Sequence, residues 1–393
     1  MSGSNARHVH GRHGSSSELK LQFILSTVIP ILDGIRWHEF LDRSRLPGPP
    51  PEAHECLTGQ TILITGAGGS IASALAWRLG SLGAHLVLLE SSESNLFALR
   101  RKFDLAGLSS ASTFILGGAA DAATLDRVFS AHAARLVFHA AAFKQVPLLE
   151  EQPLAAIANN VFGTSILAEW ASAKNARVVL LSTDKAVAPA SVMGATKRIA
   201  EQIVLGSGGS VMRLCNVLAS KDSVAEVFAQ QIRDGGPLTI TDPASRRYFV
   251  TIDEATDLLL MVAAAAPPVL LTPDLPAPHF IADLAQFMIQ KLAPGGEISI
   301  EFTHLRPGDK ESEQLWSSSE IATPADMPGV CSLDSKPMDP VALGRLLEAL
   351  RIAADALDIS AVLDCLSALV PDYTPSSAVR ALESCADSKA RHD

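Results

Sequence analysis

A short β-branched run that breaks into glycines and then into a helical period restricts this chain more than any other feature. TILIT (61–65) leads through GAGG into SIASALAWRLGSLG, which ends on Gly83. A strand followed at once by a helix has its partner on the far side of a crossover, which is the parallel βαβ unit. Strand-like runs recur at HLVLLE (85–90), TFILG (113–117), RLVFHA (135–140), RVVLLS (177–182) and SVMRL (210–214), each set off by a helical stretch. The expected fold class is α/β, a doubly wound parallel sheet with right-handed crossovers and a ligand crevice at the carboxyl ends of its strands. With 48% of its 393 residues hydrophobic and 19% charged, the chain can fill the core of one large domain or two moderate ones.

The glycine turn TGAGGSIA carries the first chemistry. Gly66 and Gly69 allow a tight turn and a close approach of backbone to a pyrophosphate seated on the helix N-terminus. Glu90 ends the next strand, where a carboxylate accepts hydrogen bonds from both ribose hydroxyls and repels a 2′-phosphate. Ser91 and Ser92 bring no compensating positive charge, so NAD is expected over NADP. Ala72 holds the third glycine position, a permitted variant.

The second constellation is STDKAVAPASVMGATKR (182–198), which opens where the fifth strand ends. Asp184 and Lys185, side by side at a strand end, can serve as acid and base if burial and mutual contact tune them. Their bland alternative is an N-capping Asp beside a solvated Lys. Lys197 follows Met193 by four positions, and methionine has no proton to exchange.

These segments, with FHAAAFKQVPLLEEQP, NNVFGT, CNVLAS, RRYFVTIDEA and LRPGDK, stand in an order and spacing that resembles the nucleotide-sugar 4,6-dehydratases of bacterial polysaccharide biosynthesis. Those enzymes are extended short-chain dehydrogenase/reductases on a Rossmann fold with a smaller C-terminal substrate-binding part. The resemblance covers residues 40 to 375. It implies that Thr183, Asp184 and Lys185 form the catalytic segment, that Met193 takes the place usual for tyrosine, and that Lys197 holds the nicotinamide ribose. It adds Ser70, Ile71 and Ala140 to the cofactor site beside Gly66, Gly69 and Glu90. Lys144, Asn216, Arg247 and Arg306 are implied on the substrate side, the arginines as a diphosphate clamp, for which a guanidinium fork is suited. His139 is expected to pack and hydrogen-bond near the cofactor without transferring protons.

Three positions depart from the family pattern: Gly118 where an aspartate reads the adenine, Gln145 where histidine is usual, and LCNVLASKDS for a glycine-richer segment. The implied activity is NAD-dependent dehydration of a UDP-sugar, UDP-N-acetylglucosamine first, to a 4-keto-6-deoxy product. A nucleotide-sugar epimerase and a degenerate paralogue that binds without turnover are the alternatives.

A net charge of −10 with scattered Lys and Arg argues against nucleic-acid binding. Five separated cysteines without a CxxC pair suggest neither zinc nor a disulfide framework and fit a reducing cytoplasm. Residues 1–17 read as a disordered tail. Residues 18–56 read as a docking segment with a proline-rich linker at 45–55. Its apolar run, residues 21–32, is too short to span a bilayer, so attachment at the inner membrane surface without crossing stays open. The remaining divisions are an NAD-binding domain over 57–235, an interleaved substrate-binding part over 236–340, and amphipathic helices over 341–393 that cover that part or make a homo-oligomer contact.

Overall fold

The computed structural model describes residues 32, 34–334 and 337–390, the last seven by backbone alone. The expected tail and all but the last residue of the apolar run lie outside the described residues.

Nine strands form the central sheet: β1 (Thr61–Thr65), β2 (His85–Glu90), β3 (Ser112–Leu116), β4 (Leu136–His139), β5 (Arg177–Thr183), β6 (Ser210–Leu214), β7 (Val269–Pro273), β8 (Ile321–Pro324) and β9 (Val330–Asp334). Their spatial order is β8-β9-β7-β6-β5-β4-β1-β2-β3. The seven strands from β7 to β3 are parallel neighbours, and β9 and β8 add antiparallel to that edge. The chain winds outward from β1 to β3 and then returns to build from β4. The switch between β1 and β4 opens a crevice at their carboxyl ends. Thr65 pairs with His139 there, and Thr183 pairs with Leu214 two strands along.

Strand residues alternate between two buried faces, as period-2 geometry requires. Ile62 and Ile64 pack with helices α1 (Ser70–Ser81), α2 (Glu93–Ala106) and α7 (Ile252–Ala264). Leu63 and Val137 pack with α3 (Ala122–Ala131), α4 (Gly163–Ala173) and α5 (Val192–Gly206). A third cluster joins Trp37, Phe40 and Leu41 to α6 (Val224–Arg233) and α8 (Ile281–Leu292). In a fourth, α9 (Pro340–Asp355) and α10 (Ile359–Leu369) lie over the outer side of α5. The last helix, α11 (Ser377–Ala390), adds Val379 to it.

One expectation changes. The proline-rich stretch is a linker only to Pro50: Pro51 starts a short helix to Glu55, because proline at the first helical position loses no hydrogen bond that the helix needs. Ala53 and Leu57 are then core residues. The 236–340 interval contributes β7, β8 and β9 to the same sheet as β1 to β6.

Candidate active site

The glycine turn is shaped for close backbone approach. Gly66 has φ +64°, and a Cβ there would stand 2.8 Å from the backbone of Ala141 beyond β4. Gly68 was not singled out from the sequence, yet it is tighter: its Cβ would lie 2.5 Å from that of Asn95 and 3.1 Å from Glu90 Oε2. Gly69 precedes Ser70 at the start of α1. Ile71 and Ala140 pack at the edge of the core. Ala72 is buried in the core between α1 and the sheet.

Glu90 is buried at the end of β2 and accepts backbone N–H bonds from Gly68 and Ser92, each at 2.9 Å. Its carboxylate is thus fixed beside the turn. Lys221 also reaches this region, with its backbone N–H on Ser70 Oγ at 2.9 Å and its ammonium 3.5 Å from Asn95 Oδ1. Lys144 is exposed and donates to the Lys221 carbonyl at 2.6 Å, which anchors the same loop. Gly118 is half-buried two residues past β3, where a Cβ would meet the Ala120 backbone nitrogen at 4.0 Å, and Gln145 is an exposed N-cap.

The second constellation gathers at the end of β5. Asp184 is fully buried, and its Oδ1 accepts from Thr183 Oγ1 at 3.0 Å and Lys185 Nζ at 3.2 Å. Its Oδ2 is buried and has no hydrogen-bond partner among the described residues. Burial first, and then the charge of Glu313, push the Asp184 carboxyl above the usual carboxylate range against the pull of Lys185. Burial works to lower Lys185, but Asp184 and Glu313 outweigh it and hold the ammonium above its ordinary value. Lys185 Nζ also donates to Asn216 Oδ1 at 3.1 Å. An Asp cap with a solvated Lys does not describe this pair.

Helix α5 presses on that turn through Gly194, where any Cβ would overlap the carbonyl oxygen of Lys185. Met193, beside it, is 4% exposed and packs in the cluster under α9 and α10. One turn on, Lys197 is buried and donates to the Leu181 carbonyl at 2.7 Å. Burial lowers its ammonium to about 8, against the charge of Glu201. His139 bridges Thr65 Oγ1 at 2.8 Å and Thr164 Oγ1 at 3.0 Å. Burial, helped by the charge of Lys197, pushes it down to about 3, so it is neutral and suited to packing.

The two arginines differ. Arg247 donates to the carbonyls of Arg246, Lys310 and Glu311 and lies 4.0 Å from Glu313, so its fork pins the 310–313 segment beside Lys185. Arg306 is exposed, paired with Asp309 at 2.8 Å, and is not drawn into the cluster.

Three supporting features went unread. Asn160, in a π-helical turn (Ile157–Phe162), holds Phe143 through both backbone groups and reaches Thr196 Oγ1 on α5. Arg213, fully buried in β6, pairs with Glu201 at 2.7 Å and Glu320 at 2.9 Å, and Arg198 joins both carboxylates. Glu313, 3% exposed, faces Lys185 at 3.5 Å. The visible signal for Arg213 was a charge inside an apolar strand run.

A glycine-cradled switch point, a buried Asp184–Lys185 pair and a helix lysine thus stand together at the strand ends of a Rossmann fold. Solved nucleotide-sugar epimerases and a dTDP-glucose 4,6-dehydratase, each at most 20% identical, share the fold. The chain belongs to the polysaccharide biosynthesis protein family, whose model matches residues 62–334. It is 36% identical over 300 residues to the probable polysaccharide biosynthesis protein EpsC of Bacillus subtilis, covering 73% of this chain and 50% of that one. The capsular polysaccharide biosynthesis protein CapD of Staphylococcus aureus is 39% identical over 279 residues, covering 67% and 46%. The chain thus spans about half the length of these relatives. Among solved structures, Pen from Bacillus thuringiensis superposes with a TM-score of 0.66 at 27% identity, over 72% of this chain and 91% of that one.

Proposed function

We propose that this protein is an NAD-dependent nucleotide-sugar 4,6-dehydratase acting on a UDP-sugar, with UDP-N-acetylglucosamine as the first candidate. The observation that carries the reading is the buried Asp184–Lys185 pair with the free oxygen of Asp184, beside a helix that brings no hydroxyl at Met193. Elimination of water needs an acid for the departing hydroxyl and a base for the neighbouring C–H, hence two titratable side chains. Moving a hydride at one carbon needs only one. The glycine turn fits a dinucleotide, because Gly66 and Gly68, where the neighbouring protein atoms leave no room for a Cβ, fold the chain tightly into the N-terminus of α1, the place for a pyrophosphate.

Gly66, Gly68, Gly69, Ser70 and Glu90 would hold the pyrophosphate and ribose, and Lys197 the nicotinamide ribose. Bound NAD would supply a hydride acceptor for sugar carbon 4 and a donor for carbon 6, with no net redox. Thr183 orients the carbon 4 hydroxyl. The carbon 4 hydroxyl proton passes through Thr183 Oγ1 to the Asp184 carboxylate as hydride leaves carbon 4, and Asp184 hands that proton to the carbon 6 oxygen as water leaves. Lys185 in its neutral form takes the carbon 5 proton, acidified by the adjoining ketone, and returns it to carbon 5 when hydride reaches carbon 6. Asn216 holds Lys185 and would contact the diphosphate, and exposed Arg306 would exchange its Asp309 pairing for it. A homo-oligomer at the cytoplasmic membrane surface fits this role. No helix among the described residues is long and apolar enough to cross a membrane.

The test is the product mass after incubation of the protein with UDP-N-acetylglucosamine and related UDP-sugars. Loss of one water supports dehydration; an isomer of unchanged mass supports the epimerase, and unaltered substrate the non-turnover reading. Nucleotide extracted from the purified protein should be mostly NAD, and mostly NADP would defeat the Glu90 assignment.

A further inference from the structure

The segment after Arg306 carries a buried carboxylate into the catalytic turn from a distant part of the chain. Glu313 Oε1 stands 3.5 Å from Lys185 Nζ and 4.0 Å from Arg247 Nε, and its Oε2 is 2.6 Å from Lys310 Nζ. Lys310 also donates to the Val187 carbonyl at 3.0 Å, and Arg247 donates to the carbonyls of Lys310 and Glu311. The segment is therefore stitched to both sides of the turn. An ammonium has three donors. Those of Lys185 face Asp184 Oδ1, Asn216 Oδ1 and Glu313 Oε1, each on a different segment. Three oxygens fix the head group of a long side chain where one would leave it to swing.

Resting on the dehydratase reading above, we propose that Glu313 is a positioning residue of the reaction: its carboxylate anchors the Lys185 head group beside Asp184 and joins the C-terminal segment to the catalytic turn. Cys215, just past the end of β6, also interacts with Asp184 and Lys185, with Arg43 and Tyr248 beside it in turn. Burial keeps the Cys215 thiol far above its ordinary value and raises the Tyr248 hydroxyl, so both are neutral near pH 7. Glu313 is the opposite: burial disfavours its charge, but Lys185, Lys310 and Arg247 hold the carboxyl below the usual range. It is an anion at working pH.

The sign of the effect follows. An anion at 313 raises both Lys185 and Asp184. Glu313→Gln removes it, so both groups should titrate at lower pH. Lys185 can be followed by NMR of 13C-labelled lysine Cε in the full-length protein, its signal assigned with Lys185→Arg. Glu313→Gln is expected to lower the Lys185 midpoint and to reduce kcat about 10- to 100-fold, with KM for the UDP-sugar and NAD content held. Glu313→Asp, which keeps the charge, should leave the midpoint near the parent value and recover most of the rate. A purely structural role would lower the rate without moving the midpoint.

An unmoved Lys185 midpoint in Glu313→Gln overturns the proposal, and so does a moved midpoint with parent kcat. Should Glu313→Gln fail to fold, Lys310→Met removes the competing cation on the same carboxylate. Lys185 should then titrate at higher pH than in the parent, and an unmoved midpoint overturns the proposal equally. Product mass in the parent decides the dehydratase reading, while the Lys185 midpoint decides the Glu313 contact, so each can fail alone.

Discussion

Met193 sits where the resembling family usually places a tyrosine, and its surroundings explain why a thioether is tolerated. It is 4% exposed and packs with Val192 and Ile199 under α9 and α10, so its work is apolar contact. Proton traffic in the proposed reaction then falls to Asp184 and Lys185. Met193→Ala is expected to lower stability by about 2–5 kcal/mol through the cavity it leaves, while measurable turnover persists. Asp184→Asn and Lys185→Ala should each lose about 100-fold or more in kcat, as for removal of a positioned acid or base. With Asp184 serving the carbon 6 oxygen and Lys185 the carbon 5 proton in that proposed reaction, Asp184→Asn should still exchange the carbon 5 proton in heavy water with a bound keto sugar, without releasing dehydrated product. Parent rates in both variants would send the search for proton carriers elsewhere in the crevice.

Helix α5 is the element that turns sequence order into site geometry. Its first turn meets the 184–186 turn without clearance at Gly194, its Thr196 is tied to Asn160, and its far face is backed by Arg213 through Glu201. Gly194→Ala has nowhere to put its methyl except against the Lys185 carbonyl, so helix and turn must part. The expected outcome is a stability loss of about 1–3 kcal/mol from overpacking and a kcat loss of at least about tenfold from displaced groups, with NAD retained. Full turnover in that variant would mean that the close approach is incidental. Six strands and the glycine-turn crevice were legible because each strand is a compact apolar run between helical periods, a local signal. β7 was not, since VLLTP follows four alanines and two prolines that blur its start. Glu201, Glu313 and Glu320 were illegible for another reason. Each is an ordinary surface residue in sequence, and only the fold supplies the Arg213 or Lys185 that makes its burial tolerable. Arg247 was read as free for a ligand, while the fold uses its fork on three backbone carbonyls.

At the scale of the molecule, residues 34–60 ahead of β1 are packed into the fold. Were the 18–56 interval only a docking segment and linker, a chain starting near Gly59 would stay folded and active. The burial of its later half argues otherwise. Arg43 donates to both oxygens of Glu254, at 2.6 and 3.0 Å, and to the Phe249 carbonyl at 3.1 Å. The Leu46 N–H adds a bond to the same carboxylate at 2.9 Å. Glu254 is fully buried and caps α7, and Arg45 pairs with Asp257 one turn along. Trp37, Phe40 and Leu41 close the cluster formed by α6 and α8. Truncation at Gly59 strands the Glu254 carboxylate without its cation, a change that costs about 3–5 kcal/mol when a buried pair loses one partner, and it uncovers apolar surface as well. A domain typically has about 5–15 kcal/mol of net stability. The truncated chain should therefore melt well below the parent or aggregate, and Arg43→Met should reproduce part of the loss while leaving the apolar cover in place. Thermal melts of the three proteins, with NAD content measured on each, decide the matter: a truncated chain that keeps the parent midpoint and its cofactor would return the segment to the role of a detachable appendage.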